Sequence, residues 1–138
     1  MKTKPFIIGS LATFVTVAVL NMLLHGVVLS KLYEITKDVW RVEGVRGGMM
    51  PLMYLSYLLI SFVFVYLFGC GYRGKGWAEG VRFGLIFGMA MAFAGTIEKF
   101  VYLDIPVRLA LGWFMGTLFQ YMIMGMITAV IYRKFKEE

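Results

Sequence analysis

The sequence predicts an all-α integral membrane protein, a bundle of four transmembrane helices that forms a single domain over residues 1–138. Hydrophobic residues make up 60% of the 138-residue chain and aromatic residues 17%. The mean hydropathy is +0.78, and soluble domains rarely combine such values. Three long stretches are almost free of charged side chains, and a fourth lacks them over most of its length.

Three of the predicted spans, at about 5–29, 51–72 and 107–132, are apolar runs. About 20 apolar residues at roughly 1.5 Å each match a hydrocarbon core about 30 Å thick, so each run can cross a bilayer. The first run follows Lys2 and Lys4 and imitates a secretory signal. Because it is too long for the apolar region of a signal peptide, we expect it to remain as the first span.

The third predicted span, at about 82–103, contains charged residues near its end. Its charge-free run, 83–97, would extend only about 22 Å as a helix. To cross the membrane, the helix must therefore continue through Glu98 and Lys99.

A weak internal symmetry is compatible with two tandem helical hairpins. Each return helix follows a proline, Pro51 or Pro106, and each outgoing helix carries an ionisable residue near its outer end, His25 or Glu98. Such a repeat would be related by an axis along the membrane normal. The identity between the halves is low, so coincidence is the alternative explanation.

The basic residues predict the orientation. Four spans place both termini and the loop near residue 75 on one side of the membrane. That side carries most of the basic residues, Lys2, Lys4, Arg73, Lys75, Arg82, Arg133, Lys134 and Lys136, against Lys31, Lys37, Arg41, Arg46, Lys99 and Arg108 on the other. The excess predicts a multi-pass protein of the cell inner membrane with cytoplasmic N- and C-termini.

The charge and the scarce metal ligands exclude several kinds of partner. The net charge is +6, but the basic residues lie at span ends and do not form an aromatic-lined basic face, so no nucleic acid partner is expected. The lipid bilayer is the expected partner, together with further copies of the chain or other membrane subunits. Cys70 and His25 are each the only residue of their type. We therefore expect no internal disulfide, no metal site and no cofactor.

The outer connector, at about 30–50, is predicted to contain a short amphipathic helix on the membrane surface. Trp40 would lie at headgroup level, and Gly44 would end the helix. Its function is expected to be either that of a solvated connector without a ligand or that of a partner-docking surface. The apolar residues at helical spacing are Leu32, Ile35, Val39 and Val42.

Small residues at four-residue spacing predict close helix packing, because they allow helix backbones to approach in lipid. On a wheel that advances about 100° per residue, Glu98 falls on the same face as the glycines of the third span, and Lys99 falls at its margin. The predicted packing residues are Gly80, Gly84, Gly88 and Gly95 in the third span and Gly112 and Gly116 in the fourth.

The polar residues within the spans are the candidate binding or pathway residues, since such residues usually face the bundle interior. His25 and Glu98 have similar predicted depths, which suggests a buried cluster, with Asn21 one turn from His25 and with Arg108 at the rim. Gln120 would point toward a neighbouring helix. Alternatively, Glu98 pairs with Arg108 or Lys99 and only holds two helices together.

Three functions are compatible with these features. The absence of catalytic motifs and the glycine faces favour a non-enzymatic protein that self-associates or serves as an accessory subunit of a membrane complex. A small transporter or channel with a polar pathway through His25 and Glu98 is the first alternative. A quinone- or lipid-binding redox subunit is the second.

One loop motif resembles a known family. The chain is similar to DUF1761-type proteins, short four-span bacterial membrane proteins in which such a stretch opens the third helix. The resemblance implies a compact four-helix membrane protein with a structured inner turn, and it supplies no activity. The matching residues are Gly76, Trp77, Glu79, Gly80, Arg82, Phe83 and Gly84.

Overall fold

The computed structural model describes residues 3–41 and 43–135, and it confirms the predicted fold class. Four helices are long and apolar enough to cross a membrane, and they pack against each other. No strand occurs within the described ranges. The helices are α1 (Thr3–Leu23, continued by a π-helical turn, Leu24–Val28), α2 (Ser30–Ile35), α3 (Glu43–Gly48), α4 (Met50–Gly71), α5 (Trp77–Tyr102) and α6 (Val107–Lys134), with a 3₁₀ turn at Lys37–Val39.

The third spanning helix begins earlier than predicted. It starts at Trp77 rather than near residue 82 and runs through Glu98 to Tyr102, as the length argument requires. Gly74 and Gly76 precede it with φ angles of 80° and 85°, a left-handed conformation that glycine adopts without strain. The two glycines therefore turn the chain sharply between α4 and α5.

Glu79 organises this turn. Its carboxylate accepts hydrogen bonds from the backbone N–H groups of Arg73 (2.6 Å) and Lys75 (2.7 Å). A glutamate in the first turn of a helix satisfies unpaired N–H groups and interacts favourably with the helix dipole. The acid of the loop motif thus has a local structural role, while Trp77 is 60% exposed at the bundle surface.

Helices α5 and α6 pack backbone to backbone. A Cβ atom added at Gly80 would collide with the carbonyl group of Gly125, and one added at Gly84 would collide with the carbonyl group of Tyr121. At Gly88, an added Cβ would lie 2.9 Å from Cβ of Tyr121. In lipid, such close approach stabilises helix pairs through van der Waals contacts.

The remaining predicted packing glycines have other surroundings. Gly112 and Gly116 lie opposite side chains of α1: an added Cβ at Gly112 would lie 2.6 Å from Cδ2 of Leu29, and one at Gly116 would overlap Leu24. Gly95 has no neighbouring atom within 4 Å of such a Cβ. Its predicted role in close packing is therefore wrong, because the space beside it is open.

The half of the bundle near the termini is filled by aromatic rings. Phe64 of α4 is fully buried, and its ring packs against Phe83 and Phe87 of α5 at centroid distances of 5.0 and 5.2 Å. Phe68 packs edge-on against Tyr132 of α6 at 5.5 Å. This aromatic core joins α4, α5 and α6 and closes that end of the bundle.

The connector packs onto the opposite end of the bundle. Leu32, Tyr33, Val39 and Trp40 contact a second buried cluster that is centred on Leu109 of α6. Only part of the predicted apolar face packs against the bundle, since Ile35 of that face is 77% exposed. Val42 lies outside the described residues. The connector thus contains two short helices, α2 and α3, with a 3₁₀ turn between them, rather than one amphipathic helix. The predicted role of Gly44 as a helix end is wrong, because Gly44 lies in the first turn of α3.

Candidate functional site

A cavity of about 500 Å³ lies inside the bundle at the end opposite the termini. All four spanning helices and the connector line it. The cavity extends to Met91, which lies eleven residues, or about three turns, before the end of α5, and to Thr117 of α6. The polar and aromatic residues nearest the connector are His25, Tyr33, Trp40, Lys99 and Trp113.

Tyr33 connects the connector to two spanning helices. Trp113 Nε1–H donates a hydrogen bond to the Tyr33 hydroxyl oxygen (2.6 Å). That oxygen lies 2.5 Å from His25 Nδ1. The indole can only donate, so the Tyr33 hydroxyl proton is free for a hydrogen bond to Nδ1 of His25, and we assign Nδ1 as the acceptor. This arrangement requires a neutral His25 with its proton on Nε2.

Local backbone structure places His25. The helix widens into a π-helical turn at Leu24–Val28, where the N–H of Leu29 donates to the carbonyl of Leu24 (2.8 Å). Such turns are rare and frequently occur at functional sites. The turn carries His25 at its second position and leads directly into α2, which carries Tyr33. The histidine and its partner are therefore held by continuous helical structure.

Trp40 covers the connector side of the cavity. Its ring packs edge-on against Tyr33 (centroid distance 5.2 Å) and Trp113 (5.9 Å). Its Nε1–H donates to the hydroxyl of Thr36 (3.0 Å), which in turn donates to the carbonyl of Leu32 (2.9 Å). The three aromatic rings form a roof, and the hydrogen bonds fix the orientation of each polar ring atom.

Lys99, rather than Glu98, belongs to this site. Lys99 lines the cavity, and its Nζ lies 5.4 Å from the ring centroid of Trp113. Both residues are exposed, but Glu98 does not line the cavity. In the described part of the chain, Glu98 forms no ion pair with Lys99 or Arg108. The predicted cluster of His25 with Glu98 therefore does not form, and neither does the alternative ion pair.

The helical wheel placed Glu98 on the inner face of α5 wrongly, because the line of contact with the other helices turns around α5. The buried residues of α5 recur every four positions, Gly80, Gly84, Gly88, Ala92 and Thr96. Each four-residue step turns this contact line by about 40° around the helix. Between Gly80 and Thr96 it turns by about 160°. The face that points inward near Thr96 is thus the face of Lys99, while Glu98 points away.

The other candidate residues are dispersed. Asn21 lines the cavity, and its Nδ2 donates to the carbonyl of Val17 (3.0 Å). Gln120 is buried but does not line the cavity, and Arg108 is exposed at the start of α6. Of the predicted binding or pathway residues, only Asn21 and His25 are thus brought together.

The electrostatic character of the cavity is positive to neutral. Lys99 is the one formal charge among its lining residues, none of which is acidic. Burial raises the pKa of Tyr33 above its usual value, although the hydrogen bond from Trp113 acts in the opposite direction. The Tyr33 hydroxyl therefore keeps its proton at neutral pH and remains a hydrogen-bond donor.

Tyr33, Trp113 and Lys99 were not predicted as site residues. The tyrosine and the tryptophan did carry a signal, because each has a polar atom within an otherwise apolar ring and needs a hydrogen-bond partner when buried. The sequence does not tell which partner each one finds. That depends on the way the connector folds back across the bundle.

Replacing Tyr33 with phenylalanine tests the hydrogen-bond chain. The change keeps the ring but leaves Trp113 Nε1–H without its acceptor and His25 Nδ1 without its donor. We expect the free energy of unfolding to fall by about 1–3 kcal/mol, since part-buried polar atoms lose their partners. The only histidine of the chain is His25, so its ¹⁵N NMR signals need no assignment. We expect the Nδ1 signal to shift in the variant, and an unchanged signal would contradict the Tyr33 contact.

Comparisons with family models, with curated proteins and with solved structures find no match to this chain. The likeness to DUF1761-type proteins in the loop before α5 therefore stays a prediction. The geometry of the cavity is the remaining source of information about function.

Proposed function

We propose that this protein binds an amphipathic small molecule inside the membrane, in the cavity between its four spanning helices. The cavity itself supports this function best: its volume of about 500 Å³ is within the usual range of ligand sites, about 300–1,000 Å³. It also has the usual composition, with apolar walls and a few fixed polar groups. This proposal develops the lipid- or quinone-binding alternative.

The position of the polar groups favours an amphipathic ligand over a water-soluble one. His25 and Lys99 are each three residues from the end of their spanning segment, Val28 or Tyr102, or about 4.5 Å along the helix. The deepest lining residues are Met91, eleven residues before Tyr102 at the end of α5, and Thr117, ten residues after Val107 at the start of α6. Their depths are about 16 and 15 Å, and neither is charged. A ligand with a polar head and an apolar tail matches this gradient.

The interior supports binding more than conduction. A polar pathway through the membrane would need polar groups along the whole bundle, but the half near the termini is filled by the aromatic core around Phe64 and Phe68. Glu98, a predicted station of that pathway, is outside the cavity. Reversible occupation from one end is therefore the simpler function.

Association with further copies or with other membrane subunits stays a prediction. This association was predicted mainly from the glycine faces. Those glycines already pack within the chain: Gly80 and Gly84 contact α6, and Gly112 and Gly116 lie against the side chains of Leu29 and Leu24. An accessory role in a complex is compatible with ligand binding. It requires surfaces other than the glycine faces.

We also propose the inner membrane as the location, with both termini in the cytoplasm. The excess of lysine and arginine near the termini and in the α4–α5 turn supports this orientation. It places the cavity at the outer, periplasmic side of the membrane. The ligand would then come from the outer leaflet.

The test is to identify what the purified protein retains. The chain should be extracted from its native membrane in mild detergent, and the retained small molecules should be measured by mass spectrometry against protein content. We expect near-stoichiometric retention of one class of amphipathic molecule by the wild type. If none is retained above the level of bulk lipid, the proposal is wrong.

A pair of neighbouring substitutions provides the control. Gly95→Leu fills open space in the cavity, whereas Ala94→Leu adds the same side chain at an exposed position outside it. We expect the first variant to lose the retained molecule and the second to keep it. Equal retention by both variants would show that the molecule binds elsewhere.

A further inference from the structure

The charge of Lys99 has no acidic counterpart among the residues that the structure describes. Lys99 is the one ionised side chain that lines the cavity, and no carboxylate of the described residues lies within ion-pair distance of Lys99. Nζ of Lys99 lies over the Trp113 ring, 5.4 Å from the ring centroid. A cation–π contact retains the full positive charge. Lys99 is exposed at the mouth of the cavity, where the anionic group of a bound molecule can pair with its ammonium group.

The groups around Lys99 can also donate hydrogen bonds to an anion. In the tautomer in which the Tyr33 hydroxyl donates to Nδ1 of His25, the proton of the ring is on Nε2, and Nε2–H is a donor. Its ring lines the same cavity as Lys99. Two donors, one of them charged, suit a carboxylate or phosphate oxygen better than a cationic or purely apolar group.

The cavity adjoins a groove on the lipid-facing surface. This groove, about 380 Å³ in volume, lies between α1 with its π-helical turn and α4. It shares Asn21, His25, Met53 and Tyr57 with the cavity. Its outer residues include Met22, which is 66% exposed. A molecule could therefore reach from the head-group level of the cavity into the hydrocarbon without leaving the protein surface.

From these observations we infer that the ligand is an anionic amphiphile. Its carboxylate or phosphate head binds between Lys99 and His25, and its apolar chain occupies the deeper cavity and the groove between α1 and α4. This inference rests on the proposed function and adds the charge of the ligand and its route from the lipid. The anionic head offsets the charge of Lys99, and the groove admits the chain sideways from the bilayer.

The test uses tryptophan fluorescence, since Trp113 lines the cavity. A reporter that keeps only Trp113 (Trp40→Phe, Trp77→Phe) is placed in lipid nanodiscs and titrated with a brominated long-chain fatty acid, which quenches nearby indoles. The matching brominated alcohol is the neutral probe. A second reporter keeps only Trp77, which is 60% exposed at the other end of the bundle, and it measures quenching by unbound probe.

We expect the acid to quench Trp113 along a saturable curve and Trp77 only in proportion to its concentration in the bilayer. Lys99→Gln should weaken the binding of the acid about tenfold, the loss of one charge-assisted hydrogen bond, and Lys99→Arg should restore most of it. An excess of a short-chain carboxylate in water should not compete.

The contrary outcomes are distinct. If acid and alcohol quench Trp113 with equal, saturable curves in the wild-type background and in Lys99→Gln, the anionic assignment is wrong while ligand binding stands, as for a quinone. If neither probe saturates, the proposed function itself fails. If the short-chain carboxylate competes fully, the site binds a soluble anion and the inferred route from the lipid is wrong.

Discussion

Replacing Gly84 with leucine should separate α5 from α6 and destabilise the protein strongly. A Cβ atom at this position would overlap the backbone carbonyl of Tyr121 and lie 2.9 Å from Cα of Met122. Backbone atoms of a packed helix cannot move aside as a flexible side chain does. The whole helix must shift, so the loss in free energy of unfolding should exceed about 3 kcal/mol, the usual upper value for overpacking.

The measurement is thermal unfolding in detergent or nanodiscs, monitored by circular dichroism. Gly95→Leu is the matched control, since it makes the same change in the same helix at a position with no atom within 4 Å of the added Cβ. We expect Gly95→Leu to unfold near the wild-type temperature when both proteins are compared after removal of retained small molecules, since a bound molecule would stabilise only the wild type. If Gly84→Leu unfolds at that temperature too, the contact between the two backbones is wrong.

Replacing Trp113 with alanine should also produce a large loss of stability, this time at the cavity end of the bundle. The indole is 8% exposed, packs against Trp40 and Tyr33, and lies under the ammonium group of Lys99. Truncation of a buried tryptophan costs about 3–5 kcal/mol. It would also remove the hydrogen bond to Tyr33 and enlarge the cavity.

Trp113→Phe separates these effects. It keeps an aromatic ring beside Trp40 but removes the Nε1–H donor, so its loss should approach that of Tyr33→Phe. Unfolding temperatures of the three variants provide the measurement. We expect Trp113→Ala to unfold at a much lower temperature than Trp113→Phe. The unfolding temperature of Trp113→Phe should be close to that of Tyr33→Phe. Equal stability of Trp113→Ala and the wild type would contradict the roof formed by the three rings.

The spanning helices could be predicted from the sequence because the bilayer sets their length. An apolar run of sufficient length forms a helix in lipid whatever its neighbours are, since its backbone must satisfy its own hydrogen bonds. The length argument also predicted that the third spanning helix continues through Glu98. It missed the start of that helix at Trp77, because the first turn is polar and depends on Glu79 accepting hydrogen bonds from the preceding loop.

The candidate site could be predicted only in part, because it depends on how helices cross. His25 and Asn21 were identified by their polarity within an apolar run. The choice of Glu98 over Lys99 failed because a straight helical wheel assumes a contact face that does not turn. Gly125, which meets Gly80 across the helix pair, was also missed, although Ala129 follows it at four-residue spacing. Small residues show that a close contact exists but do not identify its partner.

The most direct test of ligand binding locates a bound amphiphile on the protein. A photoactivatable long-chain amphiphile, in its acid and its alcohol form, should be added to the full chain in nanodiscs, and labelled residues should be identified by mass spectrometry. We predict saturable labelling of the cavity residues Met53, Met91 or Thr117 that an excess of unlabelled amphiphile prevents. Labelling confined to lipid-facing residues such as Ile86 and Val101, rising in proportion to probe without saturation, would contradict a binding site inside the bundle.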